Sequence, residues 1–165
     1  MSTRELEPTV RPSVLDRLLD FEPAFAADPP ITWRDSVARL RSSIMRDIEW
    51  LLNTRRISKP APPQFAELNA SVYHFGLPDI TSHSRDSSET RMLLMRQIEE
   101  CIRTFEPRLT SVQVMAPEGK SDPHHRIRFV IDALMKMDPN PERVTFDTLL
   151  EVGSGEFQMA DDSHA

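Results

Sequence analysis

Few side chains in this sequence have the type and spacing that chemistry requires. Glu106 and Arg108 flank Pro107, so an acid and a cation stand two residues apart on a stiff corner. Proline fixes φ, lacks an N–H and pushes the preceding residue out of helical dihedrals, which makes Glu106-Pro107 the expected end of a helix. The plain reading is that Arg108 meets the end of its own helix and Glu106 is solvated. A glycan hydrolase needs two carboxylates flanking a cleft, one with a raised pKa. Glu106 and Asp79 are the loop carboxylates to nominate for that role. Glu99 and Glu100 are neighbours on a helix, about 100° apart, and do not converge on one bond.

The thiol and imidazole groups offer less. Cys101 is the sole cysteine, so no intrachain disulfide and no thiolate cluster can form. It falls in a helical pattern, where a free cysteine is usually a small core residue, and no motif sets a histidine beside it. His124 and His125 are adjacent in a turn, short of the three or four ligands a metal site requires. The expectation is no catalytic residue, no metal and no cofactor.

The elements that position these groups follow from periodicity. Residues 1–12, with Pro8 and Pro12, read as a flexible N-terminal arm. Ser13 and Asp16 have the spacing of a capping box and open a short helix whose apolar face is Val14, Leu15, Leu18 and Leu19. Thr32 caps a long helix reaching about Asn53, with Trp33, Val37, Leu40, Ile44, Ile48 and Leu51 on one face. Thr54-Arg55-Arg56 closes it with positive charge at the negative end of the dipole. A proline-rich spacer follows at residues 59–63. Phe65 to Phe75 is expected as a second short helix, with Leu68, Val72 and Phe75 on one side and Gly76 as its left-handed stop.

Asp86-Ser87-Ser88-Glu89 opens the second long helix, in which Leu94, Ile98, Ile102 and Phe105 share a face and Glu99 pairs with Arg103. Beyond the corner the period becomes two. Val112-Gln113-Val114, then Ile127, Phe129, Ile131 and Ala133, then Val144, Phe146, Thr148, Leu150 and Val152 predict three strands in an antiparallel meander. The fold class is therefore α+β: N-terminal helices, two long and two short, packed on a C-terminal three-stranded, mainly antiparallel sheet. One domain is expected over residues 13–152, followed by a flexible acidic tail at 153–165.

A chain of 165 residues supports one sizeable core. Its net charge of −6 disfavours general nucleic-acid binding, which needs a basic surface. No apolar run reaches membrane-spanning length and the N-terminus lacks the apolar core of a secretory signal, so a cytoplasmic protein without direct membrane insertion is expected.

Four stretches, in order, resemble the TssE family of type VI secretion baseplate subunits and the wedge proteins of contractile phage tails. They are Pro12 to Leu18; Ser42 to Arg55, with Asp47-Ile48-Glu49-Trp50-Leu51-Leu52-Asn53-Thr54-Arg55; Ser71 to Asp79; and Phe105-Glu106-Pro107-Arg108-Leu109. The stretches themselves lie between Pro12 and Leu109, and by their order and spacing the resemblance is taken to cover roughly residues 12 to 152. The chain departs from the family at His74 and Phe75, where asparagine and tyrosine are frequent.

The resemblance implies a non-catalytic part in a cytoplasmic baseplate docked at the inner membrane. Its partners are then the TssF, TssG and TssK wedge subunits and the contractile sheath of TssB and TssC. It further implies that Glu106, Pro107 and Arg108 dock on the helical bundle of the wedge, with both charges pairing to partner groups. Exposed sheet edges carry unpaired backbone groups, so the strand at Val144–Val152 or at Leu109–Met115 is expected to accept a sheath segment by strand addition. The competing readings are a lysozyme-like glycan hydrolase and a regulatory protein-binding module, the latter suggested by the polyproline spacer.

Overall fold

The computed structural model describes residues 10–19, 23–24, 31–59, 61–62, 64–79, 88–117 and 126–160. They form α1 (Val14–Leu18), α2 (Trp33–Asn53), two 3₁₀ turns (Ala66–Ala70 and Val72–His74), α3 (Ser88–Phe105) and strands β1 (Leu109–Met115), β2 (Arg126–Met135), β3 (Glu142–Glu151) and β4 (Glu156–Ala160). The chain divides into two compact units, residues 1–44 and 45–165.

In the first unit the capping box of α1 is formed as the spacing requires. Asp16 N–H donates to Ser13 Oγ at 3.1 Å, and Ser13 N–H donates to Asp16 Oδ2 at 3.3 Å. The same carboxylate accepts from buried Ser43 Oγ at 2.6 Å, which ties the five-residue helix to α2. At the start of α2, Asp35 N–H donates to Thr32 Oγ1 at 3.2 Å. Leu40 and Ile44 are buried, in keeping with the helical stripe.

In the second unit four strands form one antiparallel sheet in the order β1-β2-β3-β4. The expected three-strand meander gains a strand from the segment read as a tail. Gly155, at φ +71, turns the chain back after β3, its N–H donating to Glu151 O at 2.8 Å. Phe157 then enters the core beside Phe129, with ring centroids 6.5 Å apart. That short apolar signal sits among Gly, Ser and acidic residues, whose composition masks it; residues 161–165 lie outside the described set. The core face of the sheet carries Phe129, Ile131, Ala133, Met135, Val144, Phe146 and Leu150. Ile98 and Ile102 of α3 and Ile48 and Leu52 of α2 are fully buried as well.

On the other face two ion pairs run crosswise. Arg128 of β2 grips Asp147 of β3, and Arg143 of β3 grips Asp132 of β2, each through Nε and Nη2. The Arg143 guanidinium holds the Asp132 carboxyl below the usual carboxylate range.

Two local expectations change. Phe65 to Phe75 is not one helix, because Ser71 sits between the 3₁₀ turns in extended conformation and its Oγ takes the N–H of Tyr73 at 3.2 Å. Val72 consequently faces outward at 89% exposure rather than sharing a buried side. The end of α2 is closed by Thr54, whose Oγ1 donates to Trp50 O at 2.7 Å, while Arg55 reaches away to Gly155 O at 3.2 Å. Gly76 does stop its segment in a left-handed conformation, at φ +101. Nothing larger fits: a Cβ there stands 2.2 Å from Thr54 O, the carbonyl that accepts from Leu77 N–H. The capping residues Asp86 and Ser87, the histidines His124 and His125, and Pro60 and Pro63 of the spacer lie outside the described residues.

The two edges of the sheet are closed to different extents. In an antiparallel ladder alternate residues turn their N–H and C=O away from the partner strand. On β4 these are Phe157 and Met159. The Asn53 carboxamide closes Phe157 as a strand would, accepting from its N–H at 2.8 Å and donating to its carbonyl at 2.9 Å. On β1 the register shifts between Thr110 and Gln113, with Ser111 at φ +52, a bulge. Leu109 N–H donates to Glu106 O at 3.2 Å and Val112 O accepts from Arg103 Nη2 at 2.9 Å, which leaves Val114 as the next residue turned outward. β3 is paired on both sides, so Val144–Val152 is not an edge and cannot accept a further strand.

Candidate functional site

The corner is assembled by three elements. α3 ends at Phe105, Glu106 N–H continues its ladder to Ile102 O at 2.8 Å, and Pro107 and Arg108 turn the chain into β1. Arg108 folds back on Glu106: its N–H and Nε donate to Oε1 at 3.1 and 2.7 Å, and Nη2 donates to Oε2 at 2.5 Å. Nη2 also reaches Asp47 Oδ2 on α2, again at 2.5 Å. Lys136 braces the turn from β2, its N–H donating to Arg108 O at 2.7 Å and Nζ to Pro107 O at 2.8 Å.

Glu106 is 4% exposed and the Arg108 side chain 21%, so the pair works largely out of water. Burial alone disfavours the Arg108 cation, but the hydrogen bonds and charge of Glu106, and then of Asp47, outweigh it and hold the guanidinium more firmly protonated than usual. Both Glu106 oxygens, and the Nε and Nη2 of Arg108, are hydrogen-bonded within the chain. All three expected site residues are together, yet only Pro107 is exposed; the two charges face each other and not solvent.

Sequence reasoning missed the continuation of this cluster along α2. Asp47 Oδ1 accepts from Arg46 Nε at 3.0 Å and Nη2 at 2.8 Å, and the Arg46 guanidinium lies 5.2 Å from the ring centroid of Trp50. Trp50 is 55% exposed. A clue lay in the block Asp47 to Arg55, where an indole breaks the polar side of the helix, but nothing local links Asp47 to a residue 61 positions away.

Cys101 is buried, its Sγ 3.5 Å from Gly76 O, and burial pushes its thiol up to about 11, the opposite of an activated nucleophile. Asp79 is exposed, whereas Glu106 is buried with both carboxylate oxygens taken by Arg108. Among the described residues no three His, Cys, Asp or Glu side chains gather in a way that could hold a metal ion, and no helix is long and apolar enough to cross a membrane.

The family model of baseplate wedge protein gp25 matches residues 38–140, a span that holds the whole cluster from Arg46 to Arg108. A solved chain described as the baseplate complex from the type VI secretion system is similar at 19% identity and a TM-score of 0.46, covering 68% of this chain and 94% of that one. No curated protein matches.

Proposed function

This chain belongs to the gp25 baseplate wedge family, and from that premise we propose that it is a non-catalytic structural subunit of a type VI secretion baseplate wedge. The observation that carries the reading is that the matched residues 38–140 contain both halves of the charged clasp, Asp47 on α2 and Glu106-Pro107-Arg108 at the corner. A rigid joint between two helices and a strand suits a part that must hold its shape in an assembly. A type VI apparatus is favoured by the four ordered stretches that resemble TssE.

In this reading the corner docks on the TssF-TssG helical bundle, within a cytoplasmic wedge that also holds TssK and is seated at the inner membrane. The test is co-purification with TssF-TssG, comparing wild type with Arg108→Glu after circular dichroism shows both folded. Binding lost only in the variant supports the corner as part of the dock. Equal binding returns it to an internal joint, and no binding by either chain removes the wedge assignment.

In finer detail, the sheet seats the TssB-TssC sheath by strand addition. With β3 enclosed and β4 closed at Phe157, the edge that suits an added strand is β1 around Val114. Val114→Pro removes the outward N–H there; a folded Val114→Pro chain that still assembles sheath refutes strand addition at β1. No observation favours the glycan-hydrolase or regulatory-module readings.

A further inference from the structure

The open part of the β1 edge begins where an arginine stops covering it. Leu109 N–H is taken by Glu106 O at 3.2 Å, Ser111 bends the strand at φ +52, and Val112 O accepts from Arg103 Nη2 at 2.9 Å. The first two features belong to the backbone of the corner and the bulge. The third is a side chain reaching across from α3, and the same Nη2 is ion-paired with Glu99 one turn earlier on that helix. A single guanidinium nitrogen thus joins a carboxylate to a strand carbonyl, and Glu99 holds Arg103 on the edge. Beyond it, no hydrogen bond among the described residues reaches the outward side of Val114.

The Arg103 side chain is 57% exposed and that of Glu99 23%. An ion pair this wet is weakly held, so the guanidinium yields to a competing donor at small cost. We propose that Arg103, held by Glu99, is a removable stop on the β1 edge. It fixes Val114 as the first residue at which a sheath strand pairs, and it must leave Val112 O before the added strand extends back toward the bulge. The occupant is an extended sheath segment, because an edge N–H and C=O side by side are matched in line by another extended backbone, and β4 at the far edge is already closed by Asn53. This rests on the strand-addition reading and deepens it by naming what regulates the edge.

The experiment follows the lag before TssB-TssC polymerises on wedges of TssF-TssG, TssK and the full-length chain. Wild type is compared with Arg103→Ala, Arg103→Lys, Glu99→Gln and Val114→Pro after circular dichroism shows each folded. Freeing Val112 O gives the added strand one more backbone hydrogen bond, so Arg103→Ala is expected to shorten the lag about threefold to tenfold. Glu99→Gln should shorten it less, since the arginine remains but is no longer held, and Arg103→Lys, which keeps a charged donor, should restore the wild-type lag. A purely structural Arg103 gives the opposite sign, because loosening β1 slows assembly. A lag for Arg103→Ala equal to or longer than that of wild type therefore overturns the stop while strand addition stands. An Arg103→Ala chain that dimerises before TssB-TssC is added assigns the opened edge to a second copy and overturns it also. If Val114→Pro assembles sheath as wild type does, or wild-type wedges seat none, strand addition at β1 fails and this proposal falls with it.

Discussion

Arg108 Nη2 lies 2.5 Å from Asp47 Oδ2, joining the corner after α3 to a helix 61 residues earlier. The partners differ in burial: the Glu106 side chain is 5% exposed and that of Asp47 26%. Removing Glu106 leaves the Arg108 cation short of two acceptors out of water. Glu106→Ala is therefore expected to cost about 2–4 kcal/mol, toward the range for a broken buried pair. Asp47→Ala, at a wetter position, is expected to cost about 1–2 kcal/mol. Urea denaturation of both checks the order, and a larger loss for Asp47→Ala would show that the joint to α2 outranks the corner.

Gly76→Ala should be among the most damaging small substitutions. Its φ of +101 is unfavourable for an L side chain, and the new Cβ meets Thr54 O at 2.2 Å. That carbonyl pairs with Leu77 N–H, so relief of the clash breaks the bridge between Arg55 and Leu77. A loss of about 2–4 kcal/mol is expected, combining strain with a broken hydrogen bond. A change in melting temperature within error of wild type would refute it.

Asn53→Ala tests the closure of β4. The carboxamide makes two hydrogen bonds to Phe157, and a loss of about 1–2 kcal/mol is expected from bonds of this type. The Phe157 amide, protected in wild type, should exchange faster in the variant by at least tenfold, approaching the rate of Met159. Unchanged exchange at Phe157 would mean that the rest of the α2 terminus, not the side chain, shields the edge.

What was legible in the sequence was local. The stripe from Leu40 to Leu51 marked α2, and the alternation from Ile127 to Ala133 and from Val144 to Leu150 marked β2 and β3, because a residue's burial there repeats with the period of its own element. β4 escaped because its strand state depends on non-local partners: Leu150 and Thr148 across the ladder and Asn53 on the outer side. The site split the same way. Glu106, Pro107 and Arg108 stood out as neighbours, while Asp47 and Arg46 joined them only through the fold. The crossed pairs Arg128–Asp147 and Arg143–Asp132 follow a register that no single strand contains.

Cys101 gives a pH-dependent signature. Burial raises its thiol from the ordinary 9.0 to about 11, so below pH 9 folded and unfolded chains both keep the proton. Between 9 and 11 the unfolded chain loses it first, and the thiol's contribution to stability declines across that window and is gone above it. Cys101→Ala should therefore show a shallower loss of stability from pH 9 to 11 than wild type in parallel urea melts. Identical slopes would mean that the thiol is more accessible than its place beside Gly76 O implies.

The α1 helix is expected to be the least protected regular element of the chain. Five residues are too few to be stable alone, and Val14 and Leu18 are 72% and 76% exposed, so little apolar burial holds them. Its attachment through Asp16 to Ser43 Oγ supplies a hydrogen bond to a charged group, not a packed face. Hydrogen exchange over residues 14–18 should be complete while the amides of Ile98 and Ile131 remain protected, and Ser43→Ala should accelerate it further. Strong protection of α1 in the isolated chain would instead show that the Asp16–Ser43 tether suffices to order the helix.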